Sequence, residues 1–155
     1  MCHDDHAAVM ASVFGGICMV RELVHDPILL ARKSAPATSA DLEIAQDLLD
    51  TICAHRDSCV GMAANMIGQQ KRIIVFDNEG KFMLMMNPEI IRREGAYTTR
   101  EGCLSLLGGP RDTVRYQKIK VQYQTTDFQL RIKSFSGWTA QIIQHEIDHC
   151  NGILI

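Results

Sequence analysis

The sequence H-E-x-x-H at residues 145–149 constrains this chain more than any other stretch. On a helix, residues four apart lie on the same face, so His145 and His149 can bind the same metal ion. Glu146 then stands beside that ion, where its carboxylate can take a proton from a water molecule. The alternative is a helix that carries two histidines by chance, so the motif alone does not decide between the two interpretations.

A catalytic metal site usually has three protein ligands and one open position, so the motif needs a third ligand. The metzincin pattern H-E-x-x-H-x-x-G-x-x-H fails here because Ile155 occupies the position of its third histidine. The later helix from which proteases of the thermolysin type take a glutamate has no counterpart after His149. The third ligand is therefore expected upstream, or it is Cys150, whose side chain would point away from His149 on the same helix.

Composition and charge exclude several function classes. The chain has 155 residues, of which 46% are hydrophobic and 22% charged, which is ordinary for one globular domain. A net charge of -2 and a pI near 6.3 argue against direct nucleic-acid binding and against an anionic membrane surface. No segment approaches the ~20 apolar residues of a membrane span. Composition leaves the oligomeric state open.

The cysteines and the N-terminal segment bear on location and domain organisation. Six cysteines at irregular spacing, with no C-x-x-C, are typical of reduced thiols in a cytoplasmic protein. Residues 1–18 have no Lys or Arg before their apolar stretch, which argues against a signal peptide. We expect them to be a poorly structured or helical leader, or Met19 to be the true start. Residues 19–155 are then a single catalytic domain.

The order of periodic segments predicts an α+β fold in which antiparallel β-sheets pack around a central metal-binding helix. Residues 19–37 are expected to form an extended arm with one helical turn, and residues 39–56 a helix with an apolar stripe. Residues 130–135 are expected to alternate between core and solvent, and Ser136 and Gly137 to open the metal helix. Strands are predicted at residues 72–77, 82–87, 88–91, 118–123 and 130–135.

Two further stretches attract attention for their chemistry. In E-G-C-L-S at residues 101–105, the thiolate of Cys103 suits a mixed nitrogen and sulfur site, although Cys103 is one of several candidates on composition. Small residues crowd positions 61–64, which allows a ligand or another backbone to approach closely. The alternative for that stretch is a tight packing corner between helix and sheet. Asp148 is expected to orient the helix or a nearby basic group, or else to be a surface carboxylate.

Three segments in this order, G-x-x-A-A, E-G-C-L-S and H-E-x-D-H, resemble the peptide deformylase family over about residues 19–155. The resemblance implies a metal-dependent hydrolase that removes the formyl group from the initiator methionine of nascent chains. Its partners would be N-formylmethionyl peptides and, transiently, the ribosome. It also implies that Cys103, His145 and His149 hold one divalent metal ion, Fe²⁺ in the cell, with Zn²⁺, Ni²⁺ or Co²⁺ as substitutes.

The resemblance also assigns roles to other residues. Glu146 would be the general base for the attacking water and then the general acid for the leaving amine. The backbone N–H of Leu104 would help to hold the oxyanion. The pocket for the methionine side chain would be lined by Val60, Gly61, Gly102, Ile142 and His145.

Two positions depart from the family's first motif, G-x-G-x-A-A-x-Q. Cys59 replaces its first glycine and Met66 its glutamine, which in the family donates a hydrogen bond to the oxyanion. Since methionine cannot donate, we expect slower turnover, a different small N-acyl substrate, or a protein that binds metal and N-terminal peptides without efficient turnover. Candidates for a replacement donor are Asn65, Gln69 and Gln70. Candidates for the family's basic residue are Arg111 and Arg115.

Overall fold

The fold is known from a computed structural model that describes residues 19–103, 105–106 and 108–155. The expected leader at residues 1–18 lies outside the described residues. Two short 3-10 helices, Ser39–Asp41 and Ala64–Ile67, lie between the main elements. The helices and strands, in chain order, are α1 Pro27–Leu30, α2 Leu42–Ala54, β1 Gly61–Ala63, β2 Ile73–Asn78, β3 Lys81–Glu101, β4 Arg111–Gln124, β5 Leu130–Ser136 and α3 Gly137–Cys150.

The five strands form one antiparallel sheet in sequence order, and the sheet separates two hydrophobic cores. Because side chains alternate along a strand, β2 gives Ile73 and Val75 to one core and Ile74 and Phe76 to the other. The first core packs against α2 and the second against α3. The predicted α+β fold, with antiparallel strands around the helix of the H-E-x-x-H motif, is confirmed.

Helix α2 carries an apolar stripe and follows directly on the 3-10 helix Ser39–Asp41, which carries the predicted cap. The Thr38 hydroxyl accepts a hydrogen bond from the Ala40 N–H, and the Asp41 carboxylate accepts one from the Thr38 N–H. The stripe is buried in the first core, and its fully buried members are Ala45, Leu48, Leu49 and Ile52. Capping and burial thus agree with the predicted helix.

The segment before α2 is the expected arm with one helical turn. Its backbone is hydrogen-bonded to the rest of the domain along its length: for example, the Val24 N–H donates to the Met66 carbonyl at 2.7 Å, and the Ser34 N–H to the Cys150 carbonyl at 2.9 Å. The arm therefore contacts both the segment after β1 and the end of α3. No helix in the described part of the chain is long and apolar enough to cross a membrane.

Two strand predictions were wrong in detail. The predicted break before Pro88 does not exist: β3 continues through it, because a proline without an N–H is tolerated at a bulge. One register shift, between Met86 and Glu89, spans Pro88, and a second follows between Ile90 and Arg92. In β5 the expected alternation between core and solvent fails: all residues from Leu130 to Ser134 are exposed, with Leu130 and Ile132 at 57% and 55%. These two lie on the face of the sheet away from α3, and Phe135 is the β5 residue that reaches the core.

Candidate metal centre and active site

Helix α3 carries both histidines of the motif into the second core. It begins after Ser136, where Gly137 adopts a positive φ of 61°, and it ends before Gly152, whose φ is 73°. The side chains of His145 and His149 are buried, and their Nε2 atoms lie 3.2 Å apart. The four-residue spacing therefore brings the two imidazoles together, as the sequence predicts.

Cys103 completes the cluster from the loop after β3. Its Sγ lies 3.4 Å from the Nε2 of His149, and the ligand atoms of the three residues all lie within 4.8 Å of one another. Ligands at about 2.0–2.3 Å from a tetrahedral ion are separated by roughly 3.3–3.6 Å, so the observed separations fit one cation. Two imidazoles and a thiolate suit Fe²⁺, Co²⁺, Ni²⁺ and Zn²⁺. The residues present therefore fit the expected metal.

Cys150, the other candidate ligand, lies elsewhere. It is 1% exposed and packs in the second core, and burial raises the pKa of its thiol to about 12. The metal-ligand cluster found among the described residues does not include it. The upstream alternative is thus the one that the geometry supports.

Glu146 points into the site as an unpaired carboxyl group. It is 4% exposed, and its Oε1 atom has no hydrogen-bond partner. Burial raises its pKa to about 7, although the neighbouring His145 lowers it in part. Burial likewise lowers the pKa of His149 to about 3, which favours the neutral, ligating imidazole. A carboxyl group of this kind can exchange a proton with a water molecule beside it.

Behind the histidines lies a buried polar network that sequence reasoning largely missed. Glu101 accepts hydrogen bonds from His145 Nδ1 at 2.8 Å, from the Arg115 guanidinium at 2.7–3.1 Å and from Gln141 Nε2 at 2.9 Å. Burial alone would raise the pKa of Glu101, but these bonds outweigh it and lower the pKa to about 2. Arg115 also binds Asp148 at 2.6 Å. Asp148 therefore orients a basic group, and that group is Arg115.

A cleft of about 450 Å³ opens beside the ligand cluster. All five residues expected to line the methionine pocket border it, namely Val60, Gly61, Gly102, Ile142 and His145. At Gly61, an added Cβ would lie 2.6 Å from both Glu146 Oε2 and Ile142 Cγ2. The close approach expected for this glycine is therefore made by α3. Leu104, expected to hold the oxyanion, lies outside the described residues.

Several residues that line the cleft were not predicted from the sequence. Trp138 is 60% exposed, and Gln141 joins the network around Glu101. Both lie on the same face of α3 as Ile142 and His145, so the helical period of 3.6 residues was the signal that could have identified them. Other residues also line the cleft but were not among the five expected for the methionine pocket: Ser58, Cys59, Met66, Arg100, Glu101, Cys103 and Glu146.

The segment at residues 59–66 brings sulfur atoms to the cleft where the first motif of the family has glycine and glutamine. The thiol of Cys59 donates to the Gly61 carbonyl at 2.9 Å, and the Sδ of Met66 accepts from the Ala63 N–H at 3.4 Å. The amide of Asn65 donates to the His149 carbonyl at 2.9 Å, and that of Gln70 to the Leu29 carbonyl at 3.3 Å. These two amides are thus engaged away from the cleft.

Gln69 is also absent from the lining of the cleft as the structure describes it. Its backbone N–H donates to the Ala64 carbonyl at 3.0 Å. None of the three amides proposed as replacement donors therefore faces the substrate cleft in the described residues.

Comparisons with known proteins all point to the same protein family. Residues 21–155 match the family model described as "Polypeptide deformylase". The peptide deformylase of Clostridium beijerinckii is 47% identical over 137 residues, which cover 88% of this chain and 100% of that protein. The enzyme of the same name from Dictyoglomus thermophilum is 36% identical over 141 residues, covering 88% of this chain and 91% of that protein.

Solved structures give the same result. The crystal structure of a class I type b peptide deformylase from Acinetobacter baumannii with Met-Ala-Ser bound is similar with a TM-score of 0.79 at 27% identity. The match covers 88% of this chain and 97% of that one. The peptide deformylase of Thermotoga maritima gives a TM-score of 0.79 at 29% identity, covering 89% and 95% of the two chains.

Proposed function

The chain belongs to the peptide deformylase family, and from this premise we propose how its own residues remove the formyl group from N-formyl peptides. It is a metal-dependent hydrolase of N-terminal processing in protein biosynthesis. The observation that carries the assignment of roles is the convergence of Cys103, His145 and His149 beside the buried carboxyl group of Glu146. We assign the whole of residues 19–155 to one catalytic domain.

Cys103, His145 and His149 hold the metal ion. A bound divalent cation supplies Lewis-acid chemistry, polarising a carbonyl and lowering the pKa of a nearby water. We propose Fe²⁺ in the cell, and Zn²⁺, Ni²⁺ or Co²⁺ as ions that occupy the same ligands after purification, because borderline metals share this ligand preference.

Glu146 moves the proton during hydrolysis. It takes a proton from the water whose oxygen attacks the formyl carbon, and it delivers that proton to the amine nitrogen as the C–N bond breaks. Formate and a free N-terminal amine are the products. The unpartnered Oε1 and the burial of the side chain support this role, which is worth roughly 10²–10⁴-fold in rate. The Leu104 N–H is proposed to stabilise the developing oxyanion.

The cleft selects the substrate by size. Its lining by Val60, Gly61, Gly102, Ile142 and His145 makes a largely apolar space for the methionine side chain. The similar A. baumannii structure holds Met-Ala-Ser, which supports a methionyl peptide as the ligand. The small formyl group fits beside Gly61, where larger acyl groups would meet α3.

Met66 favours a lower rate, and it favours a second candidate function. Because Asn65, Gln69 and Gln70 do not face the cleft in the described part of the chain, we propose slower turnover, or a different small N-acyl substrate. The second candidate is a protein that binds metal and N-terminal peptides without efficient turnover. Loss of one oxyanion donor costs about 10²–10³-fold, which separates an active enzyme from a nearly silent one.

We also propose a cytoplasmic location. The substrate arises on nascent chains, so the ribosome is a transient partner. The free thiols of Cys59, Cys103 and Cys150 support a reducing compartment.

The test combines metal analysis with formate release from a formyl-methionyl peptide. We expect the wild type to contain about one metal ion per chain and to release formate. Glu146→Ala should retain the metal and lose turnover, whereas the exposed Glu89→Ala should change neither. Metal and peptide binding without formate release from the wild type would favour the second function. Undiminished turnover in Glu146→Ala would remove Glu146 as the proton carrier.

A further inference from the structure

Arg115 lies at the centre of the buried network behind the metal ligands. It is on β4 and is 4% exposed. One side of its guanidinium binds Glu101, with Nη2 at 2.7 Å and Nε at 3.0–3.1 Å from the carboxylate oxygens. The other side binds Asp148 through Nη1 at 2.6 Å. One buried cation therefore joins two carboxylates from different elements.

These two carboxylates belong to the two segments that carry the metal ligands. Glu101 ends β3, two residues before Cys103, and Asp148 immediately precedes His149 on α3. Glu101 also accepts a hydrogen bond from Nδ1 of His145 at 2.8 Å. The other ring nitrogen of His145 is the one that lies 3.2 Å from Nε2 of His149. Arg115 is thus in contact, directly or through one carboxylate, with the segments of all three ligands.

We propose that Arg115 is a positioning residue of the metal centre. Its fork holds the loop of Cys103 against the helix of the two histidines and keeps Glu101 where it orients the His145 ring. The inference rests on the proposed function of the ligand cluster and adds to it the group that sets the distances between the ligands.

The chemistry of arginine suits this task. A planar guanidinium presents donors in a fixed fork and can satisfy two carboxylates at once, whereas a lysine ammonium acts as a point charge on a flexible stem. A carboxylate hydrogen-bonded to a ligating histidine fixes the tautomer and orientation of its ring. Removing Arg115 would leave the buried Glu101 and the partly buried Asp148 without their shared cation, so their carboxylates would move.

The experiment measures how fast the protein, loaded with Co²⁺, releases the ion to an excess of chelator, together with its Co²⁺ absorption spectrum. We expect Arg115→Met to release Co²⁺ about 10–100-fold faster and to alter the absorption bands, since this is the usual effect of losing a group behind a ligand. Arg115→Lys should fall between it and the wild type. Arg92→Met is the matched control, because Arg92 pairs with Glu94 on the exposed face of β3.

Unchanged release and an unchanged spectrum in Arg115→Met would overturn the proposal, even with a lower Tm, because the role would then be stability alone. Where Arg115→Met does not fold, Asp148→Asn decides, since it keeps the side-chain volume and weakens one side of the fork. A faster release in Asp148→Asn supports the proposal, and wild-type release overturns it. The Co²⁺ release measurement needs no substrate, so it tests the role of Arg115 separately from the proposed function. A wild type that binds Co²⁺ but releases no formate would contradict the proposed function, and the comparison of Co²⁺ release rates would still decide the role of Arg115.

Discussion

The two walls of the cleft are built from different chemistry. One wall, which we call the helix wall, consists of Glu101, Cys103, Gln141, His145 and Glu146, and within it Gln141 and His145 both donate hydrogen bonds to the Glu101 carboxylate. A second wall, the sulfur wall, consists of Cys59, Val60, Gly61 and Met66, and the sulfur atoms of Cys59 and Met66 each make one weak hydrogen bond within the segment itself.

The difference indicates a division of tasks between the walls. The helix wall must fix ligand distances and hold a proton, which requires a preorganised network with few degrees of freedom. The sulfur wall must admit an apolar side chain and a small acyl group, which requires shape rather than charge. Its lack of a side-chain amide is the feature that sets this chain apart from the motif of its family. Substitutions on each wall should therefore have different effects.

The largest effect is expected on the helix wall, from Cys103→Ser. A hydroxyl is a much poorer ligand for Fe²⁺ or Zn²⁺ than a thiolate. Losing a group that only supports a ligand lowers metal affinity by up to about 100-fold, so losing the ligand itself should lower it by at least about 100-fold. Turnover should fall with it. Metal content after dialysis and formate release at saturating metal measure the two losses separately.

Cys150→Ser is the matched control for this substitution. It places a hydroxyl in the second core without a partner, which should cost about 1–3 kcal/mol of unfolding free energy. Metal content should not change. If Cys150→Ser lost the metal and Cys103→Ser kept it, Cys150 and not Cys103 would be the metal ligand.

The next effect is expected on the sulfur wall, from Met66→Gln. An amide at this position can donate toward the cleft, so kcat should rise, with a limit of about 10²–10³-fold for one oxyanion donor. Because Met66 is 1% exposed, an unsatisfied amide would cost about 1–3 kcal/mol of unfolding free energy. Met66→Leu is the control, since it keeps the apolar shape without a donor and should leave kcat unchanged. If Met66→Gln turns over at or below the wild-type rate, the lack of an amide at position 66 is not what limits the reaction.

The same contrast explains how much the sequence could predict. The ligands on α3 follow from a spacing of four residues, and a periodic helix needs no knowledge of distant contacts. The pairing of Arg115 with Glu101 depends on the register between β3 and β4, and its pairing with Asp148 on how α3 packs across the sheet. Neither is a local property of the sequence.

The strands show the same limit. Alternation in β5 correctly predicted a strand, but a period of two does not say which face is covered. Leu130 and Ile132 pair with Gln124 and Gln122, respectively, on the face away from α3, so these two apolar side chains do not join the core. The bulged course of β3 through Pro88 likewise depends on its change of partner from β2 to β4.

A smaller effect is expected where the two walls touch, from Gly61→Ala. The added Cβ would lie 2.6 Å from Glu146 Oε2 and from Ile142 Cγ2, so one of these side chains must move. A catalytic group displaced by 1 Å costs roughly 10²-fold in rate, and this smaller shift should lower kcat/KM on the order of tenfold. The overpacking should also cost about 1–3 kcal/mol of unfolding free energy. Gly102→Ala should lose less, because among the described residues no atom beyond its chain neighbours lies within 4 Å of its added Cβ. Equal losses in the two variants would contradict the contact between the walls.

The smallest effect is expected from Cys59→Gly, which restores the glycine of the family motif. The thiol makes one hydrogen bond, to the Gly61 carbonyl, and burial raises its pKa to about 12, with the charge of Glu146 adding to the rise. The group is therefore neutral near pH 7 and contributes no charge to the reaction. Loss of one neutral hydrogen bond is worth about 0.5–1 kcal/mol, so kcat/KM should change less than about fivefold, with the same pH profile as wild type across neutral pH. A shifted pH profile would mean that Cys59 ionises during turnover, and the sulfur wall would then carry charge as well as shape.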